Sequence, residues 1–435
     1  MAIAAPNTSP TTTTSVSAPS ASYSAPLAIV TSLFFMWGFL TCLNDILVPH
    51  LKPIFDLNYT EIMLIQFAFF GAYFVFSIPS AKIIDWIGYQ RSMVVGLLTM
   101  GLGAFLFVPA ASVPSYPLFL IALIVLASGI TCLQVAANPY VTVLGKPQTA
   151  SSRLNLTQAF NSLGTFLAPF FGGLFILTAA PKTIQEIRAM APDALQAYRL
   201  HEASTVKLPY IGLGVALVVL AIAIGSFKLP KIPQAQHAVG EKVNDSIWRH
   251  RNLIFGAIGI FVYVGAEVSI GSFLVNYFSQ PEIGGFTEKV AASFVAFYWG
   301  GAMVGRFIGS GLLQKIKTGH LLGICAVCAA ALVTLSMLTS GHFAMWSIIL
   351  VGLFNSIMFP SIFTLGVAEL GPLTGDGSGV MIMAIVGGAL IPLAQGALAD
   401  RLGIHHAFFL PVICYLYILF FALSGSKPNS ERAGT

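Results

Sequence analysis

Stretches of mostly apolar residues recur along the chain at 26–47, 60–83, 92–112, 117–144, 153–178, 208–227, 252–279, 287–312, 319–339, 343–369, 378–399 and 405–424. Each approaches or exceeds the roughly 20 residues that an α-helix needs to cross the hydrocarbon core of a bilayer. Short loops separate most of them. Together they fill more than half the chain and leave no room for a separate soluble catalytic domain. Two longer segments interrupt the series. Residues 179–206 carry both charge signs, with Ala, Leu and Ile at helical spacing, which predicts an external amphipathic helix packed on the bundle or the interface. Residues 228–250 contain Pro230, Pro233 and mixed charges, and they divide the chain into two halves of six spans. The pattern predicts an all-α membrane protein with 12 transmembrane helices. Its organisation is a tail at 1–25, a bundle at 26–227, a cytoplasmic linker at 228–250, a second bundle at 251–424 and a tail at 425–435. The first tail is rich in Ser, Thr, Ala and Pro and has no Lys, Arg, Asp or Glu, so it is expected to be disordered. It lacks the basic region of a signal peptide, and insertion falls to the first span.

Composition fits this reading. The chain is 56% hydrophobic and 9% charged, against about 25% charged in an ordinary soluble domain. Hydrocarbon, not water, must solvate most of its outer surface. The net charge is +5, and its placement says more than its size. Lys82 and Arg91 flank the second loop, and Lys146 and Arg153 the fourth. Lys228, Lys231, Lys242, Arg249 and Arg251 surround the central loop. Arg306, Lys315 and Lys317 are read as marking the eighth loop, and Lys427 and Arg432 lie at the C-terminus. The third and ninth loops have no Lys or Arg. The positive-inside rule then puts both termini and the central loop in the cytoplasm. These charges form no basic stripe with interleaved aromatics, so no nucleic-acid partner is expected. The five cysteines all fall in apolar stretches. The Cys325–Cys328 spacing has no second pair or His cluster beside it, and neither a metal site nor a disulfide framework is expected.

The halves carry a short internal match. Asn138-Pro139-Tyr140-Val141-Thr142-Val143-Leu144-Gly145, followed by Lys146-Pro147-Gln148-Thr149, falls in the fourth span and its exit. Phe359-Pro360-Ser361-Ile362-Phe363-Thr364-Leu365-Gly366, followed by Gly371-Pro372-Leu373-Thr374, falls in the tenth and its exit. Corresponding positions in two six-span halves point to a duplicated architecture, with solute bound near the midplane between them.

An acid in hydrocarbon costs about 2.5–3.5 kcal/mol even on the lenient scale, so the acids inside spans need a reason. Asp45 lies near the external end of the first span. It is either an interfacial group or a protonatable, cation-binding group facing a cavity. Glu267 sits mid-span in the seventh, as a second coupling group or as a structural acid bonded to a neighbouring helix. Amides form a further layer. Gln134 and Asn138 share a helix face, Gln158 and Asn161 share another that Asn155 extends, and Ser272 and Asn276 repeat the pattern. Asn44 adjoins Asp45. Amides offer donors and acceptors for hydroxyls, and Trp37, Tyr140, Tyr277, Tyr298 and Trp299 supply faces for a sugar ring. The alternative is that these amides only join helices. Asp85 and Arg91 bracket Gly88 in the second loop, which suits a gating latch. Gly396-Ala397-Leu398-Ala399-Asp400-Arg401-Leu402-Gly403 is similar in letters but falls on the external side.

The segments Leu43-Asn44-Asp45-Ile46-Leu47, Ala136 to Gly145, Arg153 to Ser162 and Tyr263 to Glu267 resemble the sugar branch of the major facilitator superfamily. That branch holds the L-fucose:proton symporters and the bacterial glucose/galactose transporters. The resemblance runs from about residue 26 to 424. It implies two pseudo-symmetric six-helix bundles working by alternating access in a bacterial inner membrane, without a cofactor. It also implies that Asp45 matches the coupling acid, with Gln158 and Asn161 lining the sugar cavity. Fucose-type members carry a glutamate where this chain has Gln134, and an amide where it has Glu267. The expectation is therefore symport of a hexose, glucose or galactose, with a proton or sodium ion. The alternatives are an L-fucose:proton symporter and a non-transporting sugar sensor. Asp45 and Glu267 are the expected coupling groups. The expected sugar contacts are Gln134, Asn138, Gln158, Asn161, Asn44, Asn276, Trp37 and Tyr298, with Asp85 and Arg91 as the gate. Nothing in the sequence requires more than a monomer.

Overall fold

A computed structural model of the chain describes residues 23–55, 59–113, 115–175, 190–205, 207–230 and 245–428, with the side chains at 43–64, 170–175, 199 and 202–205 outside the described residues. The first span is the helix Ser24–Phe55. The second and third form one helical run, Tyr59–Ser112, interrupted at Gly88 with φ 79° and ψ 167°. An L side chain strains in that backbone, so Gly88 turns the chain back into the membrane without a loop. Gly403, with φ 81° and ψ 154°, makes the same turn at the other end, between the eleventh and twelfth spans.

The fourth to ninth spans are Tyr116–Val143, Ala150–Phe175, Lys207–Ser226, Arg251–Phe278, Glu288–Leu312 and Thr318–Leu338. The tenth is split into Gly341–Asn355 and Met358–Gly366. The eleventh is split into Thr374–Met383 and Gly387–Leu402, and the twelfth into Ile404–Ala407 and Phe409–Phe420. By length and apolarity ten helical stretches among the described residues qualify as spans, one of which, Ile65–Ser112, holds two crossings. The fifth is not among them, because Arg153, Asn155, Gln158 and Asn161 dilute its apolar residues. The polar face of such a helix cannot look at lipid and has to be covered by other helices.

Two earlier expectations change. Arg306, read as marking the eighth loop, is inside the eighth span with its side chain only 14% exposed. The helix Pro192–Thr205 accounts for part of the segment 179–206, while residues 176–189 lie outside the described residues. The first helix also starts at Ser24, just inside the stretch assigned to the tail.

The chain folds as two bundles. In one, the first span packs on the fifth, and the second and third pack on the fourth and sixth. In the other, the seventh packs on the tenth, eleventh and twelfth, and the eighth and ninth pack on the tenth. Small residues bring helices to backbone contact. A Cβ at Gly38 would strike the Asn161 carbonyl, and one at Gly164 the Phe35 carbonyl, where first and fifth spans cross. The seventh and eleventh cross alike, since a Cβ at Gly387 would strike the Phe261 carbonyl. The internal match is structural as well: short 3-10 turns at Pro147–Thr149 and Gly371–Leu373 lead into the fifth and eleventh spans. Arg153 closes the first of these exits. Its guanidinium donates to the carbonyls of Val141 (3.3 Å), Thr142 (2.9 Å) and Lys146 (2.8 Å), where a helix C-terminus favours a cation. Outside the spans, the His250 ring donates to Asp245 at 2.8 Å and, with the Ser246 N–H, holds the Asp245 carboxyl below its ordinary range.

Candidate functional site

The halves meet along the fifth span. It packs against the eighth and tenth, while the eleventh packs against the second and fourth. Ser151 Oγ lies 2.6 Å from Thr364 Oγ1. Ser152 Oγ donates to the Ser310 carbonyl at 2.6 Å, and Ser378 Oγ to the Val135 carbonyl at 2.8 Å. Lys82 Nζ lies 2.8 Å from Asp376 and 3.4 Å from Asp85. All of these contacts fall at, or toward, the end of the molecule that carries the basic second and fourth loops and the linker. The halves are therefore fastened together at that end.

The latch differs in membership from the expected one. Asp85 takes part through Lys82 and lies beside Gly375. Arg91 is exposed and pairs with no acid among the described residues. It lines a cavity of about 770 Å³ with Trp86, Tyr140, Phe227 and Lys228. That cavity lies at the end of the first bundle, apart from the amides.

The interior polar groups sit in three sets. In the fourth span, Gln134 Nε2 donates to the Tyr73 hydroxyl of the second span at 2.7 Å. One turn along, Asn138 is fully buried, and neither its amide nitrogen nor its oxygen has a partner among the described residues. A buried amide without a partner costs about 2–7 kcal/mol, so Asn138 is poised for water or solute. In the fifth span Gln158 is buried, while Asn161 Nδ2 donates to the Phe34 carbonyl of the first span at 2.9 Å. Trp37, on the first span, packs on Phe34 with the rings tilted by 36° and their centroids 4.6 Å apart.

The third set lies in the second bundle. Glu267 of the seventh span and Arg306 of the eighth are both largely covered, with Glu267 Oε1 and Arg306 Nη2 4.0 Å apart. Asn355 of the tenth span joins the tyrosines around them. Its Nδ2 donates to the Tyr298 hydroxyl at 2.9 Å, and its Oδ1 accepts from Tyr415 at 2.8 Å. Its carbonyl accepts from Tyr263 at 3.0 Å. Tyr298 in turn donates to the Glu267 carbonyl at 3.3 Å. Asn276 is exposed and stands apart from this set, while Trp299, also exposed, meets Tyr298 edge-on with ring centroids 5.1 Å apart. Tyr277 bonds Ser336 and His405 toward the opposite end, and Tyr140 bonds the Pro230 carbonyl. The side chains of Asn44 and Asp45 lie outside the described residues.

Sequence reasoning missed Tyr73, Arg306 and Asn355. Arg306 was assigned to a loop because loops are where basic residues are expected. The internal match held the signal for Asn355, which precedes Pro360 by the same five residues as Gln134 precedes Pro139.

Three comparisons bear on this geometry. The model of the Major Facilitator Superfamily matches residues 27–385. The glucose/galactose transporter of Brucella abortus is 55% identical over 405 residues, covering 93% of this chain and 95% of that protein. The L-fucose-proton symporter of Escherichia coli is 36% identical over 410 residues, covering 93% of each. The crystal structure of the transporter FucP in the outward conformation superposes with a TM-score of 0.85 at 33% identity, covering 93% of this chain and 99% of that one.

Proposed function

This chain belongs to the Major Facilitator Superfamily, and from that membership we propose that it carries a hexose, glucose or galactose, into the cell with a proton or sodium ion. The chain is a membrane transporter and not an enzyme. The observation that carries the proposal is the fifth span. Its polar face is unsuited to lipid, it packs across the bundle interface against the eighth and tenth spans, and it holds Gln158 buried there, while the fourth span holds Asn138, whose buried amide has no partner among the described residues. Amides offer both the donors and the acceptors that sugar hydroxyls need. The 55% identity to a glucose/galactose transporter exceeds the 36% to a fucose symporter. Gln134, which stands where fucose-type members have an acid, supports the same choice.

The cytoplasm faces the end that carries the basic loops. On that orientation the latch of Lys82, Asp376 and the serine pairs closes the cytoplasmic side, and the protein stands open outward. A cation enters from outside and occupies Asp45, the sugar binds the amides of the fourth and fifth spans, and the loaded bundles rock until the cytoplasmic latch parts. An interior potential of about 100 mV adds about 2.3 kcal/mol per charge carried. At 1.4 kcal/mol per tenfold, that supports roughly 40-fold accumulation.

The test is uptake into proteoliposomes of labelled glucose, galactose and fucose, with sodium and proton gradients imposed separately. Accumulation of glucose or galactose driven by one of the two gradients is expected. Counterflow of these sugars with no gradient-driven accumulation would make the protein a facilitator, and preference for fucose would return the assignment to the other branch.

A further inference from the structure

Arg306 belongs to the second bundle, yet much of what it binds belongs to the first. Its Nη1 donates to Ser162 Oγ and to the Gln158 carbonyl (3.5 Å), and its own carbonyl accepts from Asn155 Nδ2 at 2.7 Å. Its Nε donates to the Ser356 carbonyl of the tenth span at 3.4 Å. Residues 155, 158 and 162 share one face of the fifth span, the face that carries Gln158. Among the described charged groups the one acid paired with Arg306 is Glu267. The fifth and tenth spans offer it only hydroxyls, an amide and carbonyls. Glu267 Oε1 in turn has no hydrogen-bond partner among the described residues, and its charge is met by the guanidinium 4.0 Å away together with the neighbouring Tyr263 side chain.

Resting on the reading of the chain as a sugar symporter, we propose that Arg306 is a positioning residue that clamps the sugar-lining face of the fifth span from across the bundle interface. Glu267 is its fixed counter-ion and not a carrier of the coupling cation. A carboxylate that already faces a resident guanidinium has its charge met. A transported cation added there would leave a net buried charge, which a low-dielectric interior penalises. A lone Glu267 or a lone Arg306 would be penalised for the same reason, which binds the two functionally. The guanidinium fork matters as well as its charge, because an ammonium cannot reach Ser162, Gln158 and Ser356 together. The acid that the sequence offers as a second coupling group thus serves sugar binding, and coupling rests on the first bundle.

Wild-type protein, E267Q, R306K, R306Q and the double variant E267Q/R306Q test this in one set of proteoliposomes, with sugar KM, maximal rate and cation-driven accumulation ratio read separately. E267Q and E267Q/R306Q are expected to keep the wild-type accumulation ratio within about twofold. R306K is expected to raise KM about tenfold, the loss of a charge-assisted contact, at an unchanged accumulation ratio. Thermal melting adds a readout independent of transport. E267Q and R306Q should each lower the melting temperature, and the double variant by clearly less than their sum. Loss of accumulation in E267Q with counterflow intact would make Glu267 the coupling group and overturn the proposal. So would an unchanged KM in R306K, or simple additivity in melting. Failure of the wild-type protein to accumulate any hexose would instead refute the symporter reading itself.

Discussion

Gln134 and Asn355 show what single residues do here. Each is a buried amide five residues before a proline, in the fourth and the tenth span. Each binds a tyrosine from the span next to it, Tyr73 or Tyr298. The pair is the same device in both halves, a neutral hydrogen bond between buried groups that joins two helices. Q134L would leave one buried hydroxyl without its donor and is expected to cost about 1–3 kcal/mol. N355L would take away both the acceptor of Tyr415 and the donor to Tyr298 and should cost more, about 2–5 kcal/mol. Thermal melting in detergent ranks the two. Asp45→Asn belongs at the same scale. It should bring the accumulation ratio from roughly 40-fold toward unity while counterflow persists, and accumulation that survives would remove Asp45 from coupling. Acids and amides in spans could be found in the sequence because burial makes them costly. Their partners could not, since a hydrogen bond between the second and fourth spans has no spacing along the chain.

At the scale of elements, glycine decides how closely helices cross. A Cβ at Gly352 would strike the Tyr298 carbonyl, so the tenth and eighth spans touch backbone to backbone. G352V is expected to abolish the folded fraction seen by size-exclusion chromatography. Gly300 and Gly311 meet nothing within 4 Å, and G300A or G311A should stay within about 1 kcal/mol of wild type or gain slightly. The sequence marks all of these positions with the same letter, and only the packing separates them. The fifth span is the opposite case. Its polarity is written in the sequence, and polarity is what forces it between the bundles. The breaks in the tenth, eleventh and twelfth spans were not legible, because apolar runs continue through them.

For the molecule as a whole, Arg306 crosses between the halves deeper inside, while the latch of Lys82, Asp376 and the serines sits at one end. Lys82 and Asp376 form the ion pair that crosses there, half exposed and about one-fifth exposed respectively. An exposed pair is worth about 0–1 kcal/mol, so D376N should shift the balance between outward and inward states by up to about fivefold without unfolding the protein. Cysteine accessibility at the cytoplasmic end would read the change, and salt should reproduce part of it by screening. A latch this weak suits a transporter, which has to open it in every cycle.

The sequence by itself determined that the chain spans a membrane, where the spans fall, which loops are basic and which residues are too polar for lipid. These follow from the price of placing polar groups in hydrocarbon, which is local and can be read residue by residue. The tertiary structure alone decided that Arg306 lies inside a span opposite Glu267, that Asn355 gathers three tyrosines, that Asn138 has no partner among the described residues, and at which end Lys82, Asp376 and the serines latch the bundles. Those depend on which helices become neighbours, and side chains hundreds of residues apart meet only once the bundles are packed.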